Sequence, residues 1–260
     1  MRLLESDSLV LHAFDYGETS RIVRIATHDA GVLSVIARGA RRPKSAFGPA
    51  IDLFTSGVAH VRVHPTRDLH ILTGFDATRT RSELAGSLAR FTAASAVAEL
   101  CLRFAREDDS GRVHDAATDV LDAIGAAVPN EVPAIALAGA WRVVAELGFA
   151  PSLDQCATCH ADIAPDEHVT FDHRAGGALC ARCARLGPRG RKIPADARET
   201  LRSWLAGAEA ALADDPARRA HQRLLREFLE EHLGDGRPLR AFAAWEGPLQ
   251  AAPREPVALA

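Results

Sequence analysis

Four of the five cysteines in this 260-residue chain stand in two closely spaced pairs. The pairs are Cys156-x2-Cys159 and Cys180-x2-Cys183, with 20 residues between them. Each C-x-x-C turn can place two sulfur atoms on one side of the chain, and two facing turns supply the tetrahedral thiolate set that Zn²⁺ prefers. Four protein ligands leave no open position for water or substrate. The pattern therefore predicts one structural zinc ion per chain rather than a catalytic one.

Three other uses of these cysteines are open from the sequence. Disulfides would need an oxidising compartment, but the acidic segment 1–7 does not resemble a signal peptide. The segment Cys156–His160 also matches the C-x-x-C-H motif of haem attachment, and one C-x-x-C alone matches a thioredoxin-like redox pair. The second cysteine pair favours the metal. The fifth cysteine, Cys101, lies in an apolar helical stretch and is predicted to be a core thiol.

A basic segment precedes residue 51. The range 30–51 contains no Asp or Glu and carries four cations within seven residues. Cations beside aromatic rings are typical of a surface that holds the phosphates of a single strand and stacks its bases. Phe14 is a further ring, but it also fits the core of a strand. The predicted nucleic-acid contacts in this region are Tyr16, Arg38, Arg41, Arg42, Lys44 and Phe47.

A second run without acidic residues covers 173–195, beside the second cysteine pair. We predict Arg189, Arg191 and Lys192 as further DNA contacts, although these cations also fit a solvated loop.

The overall charge is slightly acidic, at −3, but it is unevenly distributed. Residues 1–81 carry eleven Lys and Arg against eight Asp and Glu, so the remainder of the chain is acidic. The sequence contains no P-loop, no zinc-deaminase motif, no G-x-S-x-G and no H-E-x-x-H. These features favour a binding protein and not an enzyme.

The elements that must position these residues change type along the chain. Runs of β-branched residues between turn signals predict strands at 8–14, 21–27, 31–37, 51–55, 57–63 and 69–75. Apolar residues at helical spacing then predict helices at 82–102, 114–128, 131–147, 194–213 and 216–233. Five or six strands in 80 residues favour a small closed barrel such as an OB-fold.

The predicted fold class is therefore α+β, with an N-terminal OB-fold β-barrel followed by an α-helical domain carrying a four-cysteine zinc module. The predicted domains are an OB-fold nucleic-acid-binding domain at 1–80 and a helical domain at 81–240. The zinc module is inserted in the helical domain at about 152–192, and a flexible tail is predicted at 241–260. No apolar run is long enough to cross a membrane, and a cytoplasmic location is expected.

Several local motifs resemble the RecO family of bacterial recombination mediators. The segment Tyr16–Ser20 is similar to the family's Y-G-E turn, and 37–45 is similar to its basic loop. Leu147–Pro151 and the stretch from Phe171 to Gly177 are similar to the family's entry to and return from the zinc unit. The resemblance extends through nearly the whole chain apart from the tail.

The resemblance implies a protein that binds single- and double-stranded DNA and anneals complementary strands. It also implies partnership with RecR and with single-stranded DNA-binding protein, so that RecA is loaded indirectly onto coated single strands at the nucleoid. It assigns the phosphate contacts to Arg38, Arg41, Arg42 and Lys44. Two alternatives are an RNA-binding or ribosome-associated OB/zinc protein, and a scaffold whose basic loop contacts an acidic protein.

Overall fold

The computed structural model describes residues 2–105, 111–186, 190–208, 211–212, 214–233 and 236–247. Within these ranges the chain begins with a closed β-barrel and continues as helices that enclose a small three-stranded sheet. The α+β prediction, with an OB-like barrel before a helical region, is confirmed.

Five strands form the barrel in the order β1-β2-β3-β5-β4, and β4 closes onto β1. Closure is possible because β1 is long enough to pair with β4 through its first half and with β2 through its second half. The β3–β5 pair is parallel and the other pairs are antiparallel. The strands are β1 Arg2–Tyr16, β2 Ser20–Thr27, β3 Gly31–Ala37, β4 Ser56–Val63 and β5 Leu69–Arg79.

Alternating side chains fill the barrel, as expected for strands with two different faces. Val10, Val23 and Val35 are among the inward residues. A bulge between Val10 and His12 sets Leu11 outside this alternation, where it packs with the helical core. The strand therefore packs on the helices through Leu9 and Leu11 in its middle, and its last part is exposed to solvent.

The predicted strand at 51–55 is wrong. A short 3-10 helix, Gly48–Ile51, and a turn stand there instead. Pro49 in the first turn favours the helix, and Phe54 has a left-handed backbone (φ 65°), which ends any extended run. The helix inserts Ile51 into the barrel core, which explains why the sequence is apolar without being a strand.

Eight helices occur in the described part of the chain after the barrel. Helices α2, α3 and α4 pack on each other around Val97, Leu121 and Trp141. None of the described helices has the length and apolar character needed to span a bilayer. The helices are α1 Ser82–Ala85, α2 Leu88–Phe104, α3 Arg112–Ala126, α4 Val132–Glu146, α5 Ala181–Leu186, α6 Ala195–Leu205, α7 Asp215–Leu233 and α8 Arg240–Glu246.

Helix α8 falls in the segment predicted as a flexible tail, so that prediction begins too early. The Glu99 carboxylate on α2 accepts hydrogen bonds from the backbone N–H groups of Arg240, Ala241 and Phe242, at 3.0, 2.9 and 3.3 Å. Phe242 and Trp245 are buried beneath the helix. The rest of the predicted tail, 248–260, lies outside the described residues.

Arg81 joins the barrel to the helices. Its fully buried side chain pairs with Asp122 of α3 at 2.6 Å and donates to the Phe54 carbonyl at 2.7 Å and the Ser56 hydroxyl at 2.8 Å. A buried guanidinium is tolerated only where it is paired and hydrogen-bonded, so these contacts fix the angle at which the barrel sits on α3.

Candidate metal centre and nucleic-acid interface

The four cysteines converge in a small unit between α4 and α6. This unit contains a sheet of order β7-β6-β8, formed by β6 Val169–Asp172, β7 Gly177–Leu179 and β8 Arg191–Ile193. The Sγ atoms of Cys156, Cys159, Cys180 and Cys183 all lie within 4.8 Å of one another. They form a group that can bind a metal ion through four thiolates, as the spacing predicted.

Backbone turns present the sulfur atoms. In the first turn, the His160 N–H donates to the Cys156 carbonyl at 2.9 Å, and His160 adopts a left-handed backbone (φ 58°). In the second turn, the Ala184 N–H donates to the Cys180 carbonyl at 2.9 Å as α5 begins. The two turns face each other, with the Cys159 and Cys180 sulfurs 3.7 Å apart.

The thiols cannot all ionise without a cation. Burial acts against the Cys156 thiolate, but nearby backbone N–H groups outweigh it and lower the pKa of Cys156 to about 6. The hydrogen bond with Cys159, together with burial, raises the pKa of Cys183 to about 12. Four negative charges at this separation repel one another, whereas a divalent ion stabilises all of them.

Arg198 of α6 holds the loop that follows the first cysteine pair. Its side chain is buried and donates to the carbonyl oxygens of Ile163, Ala164 and Glu167 at 3.4, 2.8 and 3.1 Å. Three carbonyls on one guanidinium fix the loop against α6. The cysteine-containing unit between α4 and α6, called the metal unit below, is therefore packed into the helical core rather than appended to it.

Arg191, predicted as a DNA contact, is an anchor of the metal unit. Its guanidinium contacts both carboxylate oxygens of Glu227 on α7, at 2.6 and 2.7 Å. Burial alone would raise the pKa of Glu227, but Arg191 lowers it, which keeps the pair ionised. Lys192 is exposed, and no ion pair to it occurs among the described residues. Arg189 lies outside the described residues.

The basic loop, residues 38–47, leaves β3 beside the β1–β2 turn. Arg41 braces it, because its backbone N–H donates to the Thr19 carbonyl at 2.9 Å and its Nε lies 3.2 Å from Asp15. Arg38, Arg42 and Lys44 are exposed, and within the described part of the chain their side chains have no acidic partner. Three of the four predicted cations are therefore exposed to solvent, while the fourth, Arg41, is paired with Asp15.

Phe47 does not supply a surface ring. Its side chain is only 9% exposed and packs in the barrel core. The basic loop predicts a surface position for Phe47, but the 3-10 helix that follows carries the residue inward.

Exposed rings occur instead along the end of β1. Phe14 and Tyr16 are 43% and 52% exposed, and the His12 ring lies 5.6 Å from Phe14. Their intervening neighbour Ala13 packs inward, so the three rings share the outer side of the strand. His12 is not among the residues predicted from the sequence, and Phe14 fits both a core and a surface position there; strict alternation of side chains along the end of β1 is the pattern that places both rings outward.

The neighbouring strands extend this surface. Phe14 pairs with Ile22 of β2, which pairs with Ile36 of β3. Arg38 follows β3 directly, at the same end as Tyr16. We call this surface the barrel face; it consists of His12, Phe14, Tyr16, Ile22, Ile36 and Arg38. It combines apolar area and rings with cations at one edge.

Comparisons with known proteins agree with this arrangement. Residues 1–81 match the family model described as "Recombination protein O N terminal", and residues 85–241 match "Recombination protein O C terminal". A protein named DNA repair protein RecO from Anaeromyxobacter sp. (strain Fw109-5) is 35% identical over 95% of this chain and 97% of its own. Another of that name, from Anaeromyxobacter sp. (strain K), is 36% identical over 93% of this chain and 96% of its own.

Proposed function

This chain belongs to the RecO family of DNA repair proteins, and we propose that it binds single- and double-stranded DNA and anneals complementary strands. The observation that carries the proposal is the barrel face with Arg38, Arg42 and Lys44 exposed at its edge. With RecR, it helps to load RecA on single strands coated by single-stranded DNA-binding protein. It acts in the cytoplasm at the nucleoid, as a mediator and not as an enzyme.

The barrel, residues 1–80, is the proposed DNA-binding domain. Arg38, Arg42 and Lys44 contact phosphates and release counterions, which gives affinity without sequence preference. Arg41 has a positioning role, because its bond to Asp15 holds the loop against the β1–β2 turn. Phe14 and Tyr16 stack on bases. Lys192, an exposed cation outside the barrel, is a further proposed contact.

The proposed metal is Zn²⁺, held by Cys156, Cys159, Cys180 and Cys183. The all-sulfur donor set fits zinc, and the packing of the four residues against the helical core fits a structural ion. When bound, zinc would cross-link the two cysteine turns, and its four protein ligands would leave no open coordination position for a reaction. Arg198 of α6 bonds to the loop of this unit, and Arg191 of the unit bonds to Glu227 of α7, so both contacts attach the unit to the helices.

The family resemblance assigns the contact for single-stranded DNA-binding protein to the helical domain, residues 81–240. A groove of about 660 Å³ lies there between α3, α4 and the end of α6. Its walls are largely apolar, with Ile135, Ala138 and Trp204, and Arg142 stands at its rim. We associate this partner with the groove because of its apolar area; Arg142 is paired there with Asp119 at 3.0 Å, and Glu131 adds a second carboxylate to the lining.

Charge reversal in the basic loop tests the DNA-binding proposal. The triple variant Arg38→Glu/Arg42→Glu/Lys44→Glu should lose single-strand affinity by at least about 100-fold at low salt, because three phosphate contacts become repulsive. Fluorescence anisotropy with an oligo-dT strand across a salt series measures this. A competing RNA of equal length separates DNA binding from the RNA-binding alternative.

Arg62→Glu is the matched control, since Arg62 is an exposed cation on β4, away from the basic loop. It should leave affinity within about threefold of the unmodified protein. Because the control changes the net charge by 2 and the triple variant changes it by 6, a free-energy loss in the control of about one-third of the loss in the triple variant would mean that net charge, not the loop, governs binding. Full binding by the triple variant would refute the loop assignment.

A further inference from the structure

A pocket of about 370 Å³ lies at the end of the barrel opposite the basic loop. It is lined by Arg2 at the start of β1, by Ala30 of the β2–β3 turn and by the β4–β5 loop 64–68. The basic loop contacts the β1–β2 turn, at the far end of the same strands. The pocket is therefore a separate feature from the basic loop.

The pocket has a basic rim over an apolar floor. Arg2 and Arg67 are exposed at the rim, and neither has an ion pair among the described residues. Asp68 is the one acid in the lining, so the rim carries an excess of positive charge. Leu33 and Val63 form the floor, where the pocket meets the barrel core. A cationic rim on a concave site favours an anion that is bound with part of its carrier.

Two histidines in the lining have their hydrogen-bonding roles fixed by the backbone. His70 Nδ1 accepts the His64 N–H at 3.2 Å, and His64 Nδ1 accepts the Thr66 N–H at 3.3 Å. A neutral ring whose Nδ1 is an acceptor carries its proton on Nε2. Both rings therefore have an Nε2–H to donate, and no acceptor for either occurs within the described part of the chain.

We propose that this pocket binds a phosphate group of a nucleic-acid strand, through Arg2 and Arg67 with the Nε2–H groups of His64 and His70. Oxyanions accept from guanidinium and imidazole donors together, and 370 Å³ lies within the range of small-ligand pockets. The inference rests on the proposed DNA binding. A strand held at both ends of the barrel would cross the barrel face between them.

The first test uses thymidine 5′-monophosphate as the probe and the histidine ring signals of the full-length protein as the readout. The signals of His64 and His70 should shift in a saturable manner, whereas that of His168, an exposed histidine near the metal unit, should not. Arg67→Ala should weaken the titration several-fold. Unmoved signals of His64 and His70, or equal shifts at His168, would overturn the proposal.

The second test compares Arg67→Ala with Arg62→Ala in oligonucleotide binding. Both remove one exposed arginine, but Arg62 does not line the pocket. Arg67→Ala should reduce affinity several-fold and the salt slope by about one, as expected for a lost phosphate contact, while Arg62→Ala should not. Equal behaviour of the two variants would overturn the pocket assignment.

Oligonucleotides with different 5′ ends show whether the pocket binds a terminal or an internal phosphate. A 5′-phosphorylated strand that binds more tightly than its 5′-hydroxyl counterpart, with the difference lost in Arg67→Ala, supports a strand terminus; equal binding with a loss in Arg67→Ala supports an internal phosphate. If the unmodified protein bound no oligonucleotide, the proposed function would fail. Strong binding that Arg67→Ala leaves unchanged would remove only the pocket.

Discussion

At the scale of single residues, the DNA binding proposed for the barrel face has two contributions, charge and stacking. The exposed rings of β1 lie close to Arg38, Arg42 and Lys44. One DNA strand could therefore contact the rings with its bases and the cations with its phosphates. Phosphate contacts weaken as salt rises, whereas stacking does not depend on counterion release. The two contributions are therefore separable by measuring affinity at several ionic strengths.

We expect Phe14→Ala and Tyr16→Ala each to weaken single-strand binding by about 1–3 kcal/mol, the usual loss for one stacked base, with an unchanged salt slope. Leu3→Ala is the control, because Leu3 is also an exposed apolar side chain of β1 but lies at its other end. A binding titration at two salt concentrations measures both quantities. A changed slope, or no loss in either ring variant, would contradict base stacking on this strand.

His221 makes the stability of the helical region depend on pH. Burial against Trp204 lowers the pKa of this histidine to about 4. Below about pH 6.5 the unfolded chain binds a proton that the folded chain refuses, so stability falls as pH decreases from about 6.5 to about 4. Over the whole window the loss from this residue is roughly 3 kcal/mol.

His221→Phe should flatten that dependence, because it keeps an aromatic ring beside Trp204 and removes the titrating group. Urea unfolding at pH 7 and pH 5 measures the difference, with His168→Gln on the surface as control. Other groups, including the thiols and His173, titrate alike in both variants. An equal loss of stability on acidification in both would show that His221 is not a source of the pH dependence.

At the scale of elements, the metal unit depends on α6 as much as on its cysteines. Arg198 offers its donors to three carbonyls of the loop 163–167, and it is buried while doing so. The carbonyl groups of a loop need hydrogen-bond donors, which neighbouring strands would supply in a larger sheet. Here the Arg198 guanidinium supplies them.

Arg198→Met should lower the free energy of unfolding by about 2–4 kcal/mol, because buried carbonyls lose a charged donor while the apolar volume is kept. Arg202→Met on the same helix is the control: Arg202 pairs with Asp154 and Glu199 but is one-third exposed, so about 1 kcal/mol or less is expected. Chemical unfolding and metal content per chain measure both variants. Similar costs would mean that the three carbonyl bonds do not secure the loop.

Elements with repeating patterns were predictable, and those defined by one partner were not. Alternation identified β2 and β3 closely, since Arg21–Thr27 and Gly31–Ala37 match the observed strands within a residue. The first strand was predicted too short because Glu5 and Asp7 look like a polar terminus, although pairing with β4 keeps them extended. Helix α8 has seven residues, too few for periodicity, and depends on its cap from Glu99.

The site residues follow the same rule. The cysteine spacing predicted the metal group because the ligands of each pair are close together in the sequence. Which cations are unpaired was not predictable, since Arg41 meets Asp15 and Arg191 meets Glu227 only after long-range folding. Phe47 was misplaced for the same reason: its burial depends on how the 3-10 helix closes the barrel.

At the scale of the whole molecule, the barrel and the helical half meet through apolar contacts that include Leu9, Leu11 and Phe54, and through the buried side chain of Arg81. The barrel has its own apolar core, whereas the metal unit shares the core of the helices. Arg81 connects the two halves through Asp122 and the Phe54 carbonyl. The three tryptophans, Trp141, Trp204 and Trp245, all lie in the helical half, so tryptophan fluorescence reports that half alone.

Metal removal should therefore affect the halves unequally. Chelation, or Cys156→Ser, removes binding energy that stabilises only the folded metal unit, so the tryptophan-detected unfolding temperature should fall by several degrees or more. Oligonucleotide affinity at low temperature should change by less than about threefold, because the basic loop and barrel face belong to the other core. Cys101→Ala, which alters a cysteine outside the metal group, should retain the full metal content. A loss of DNA binding in proportion to metal loss would mean that the barrel depends on the metal unit for its structure or that the unit itself contacts DNA.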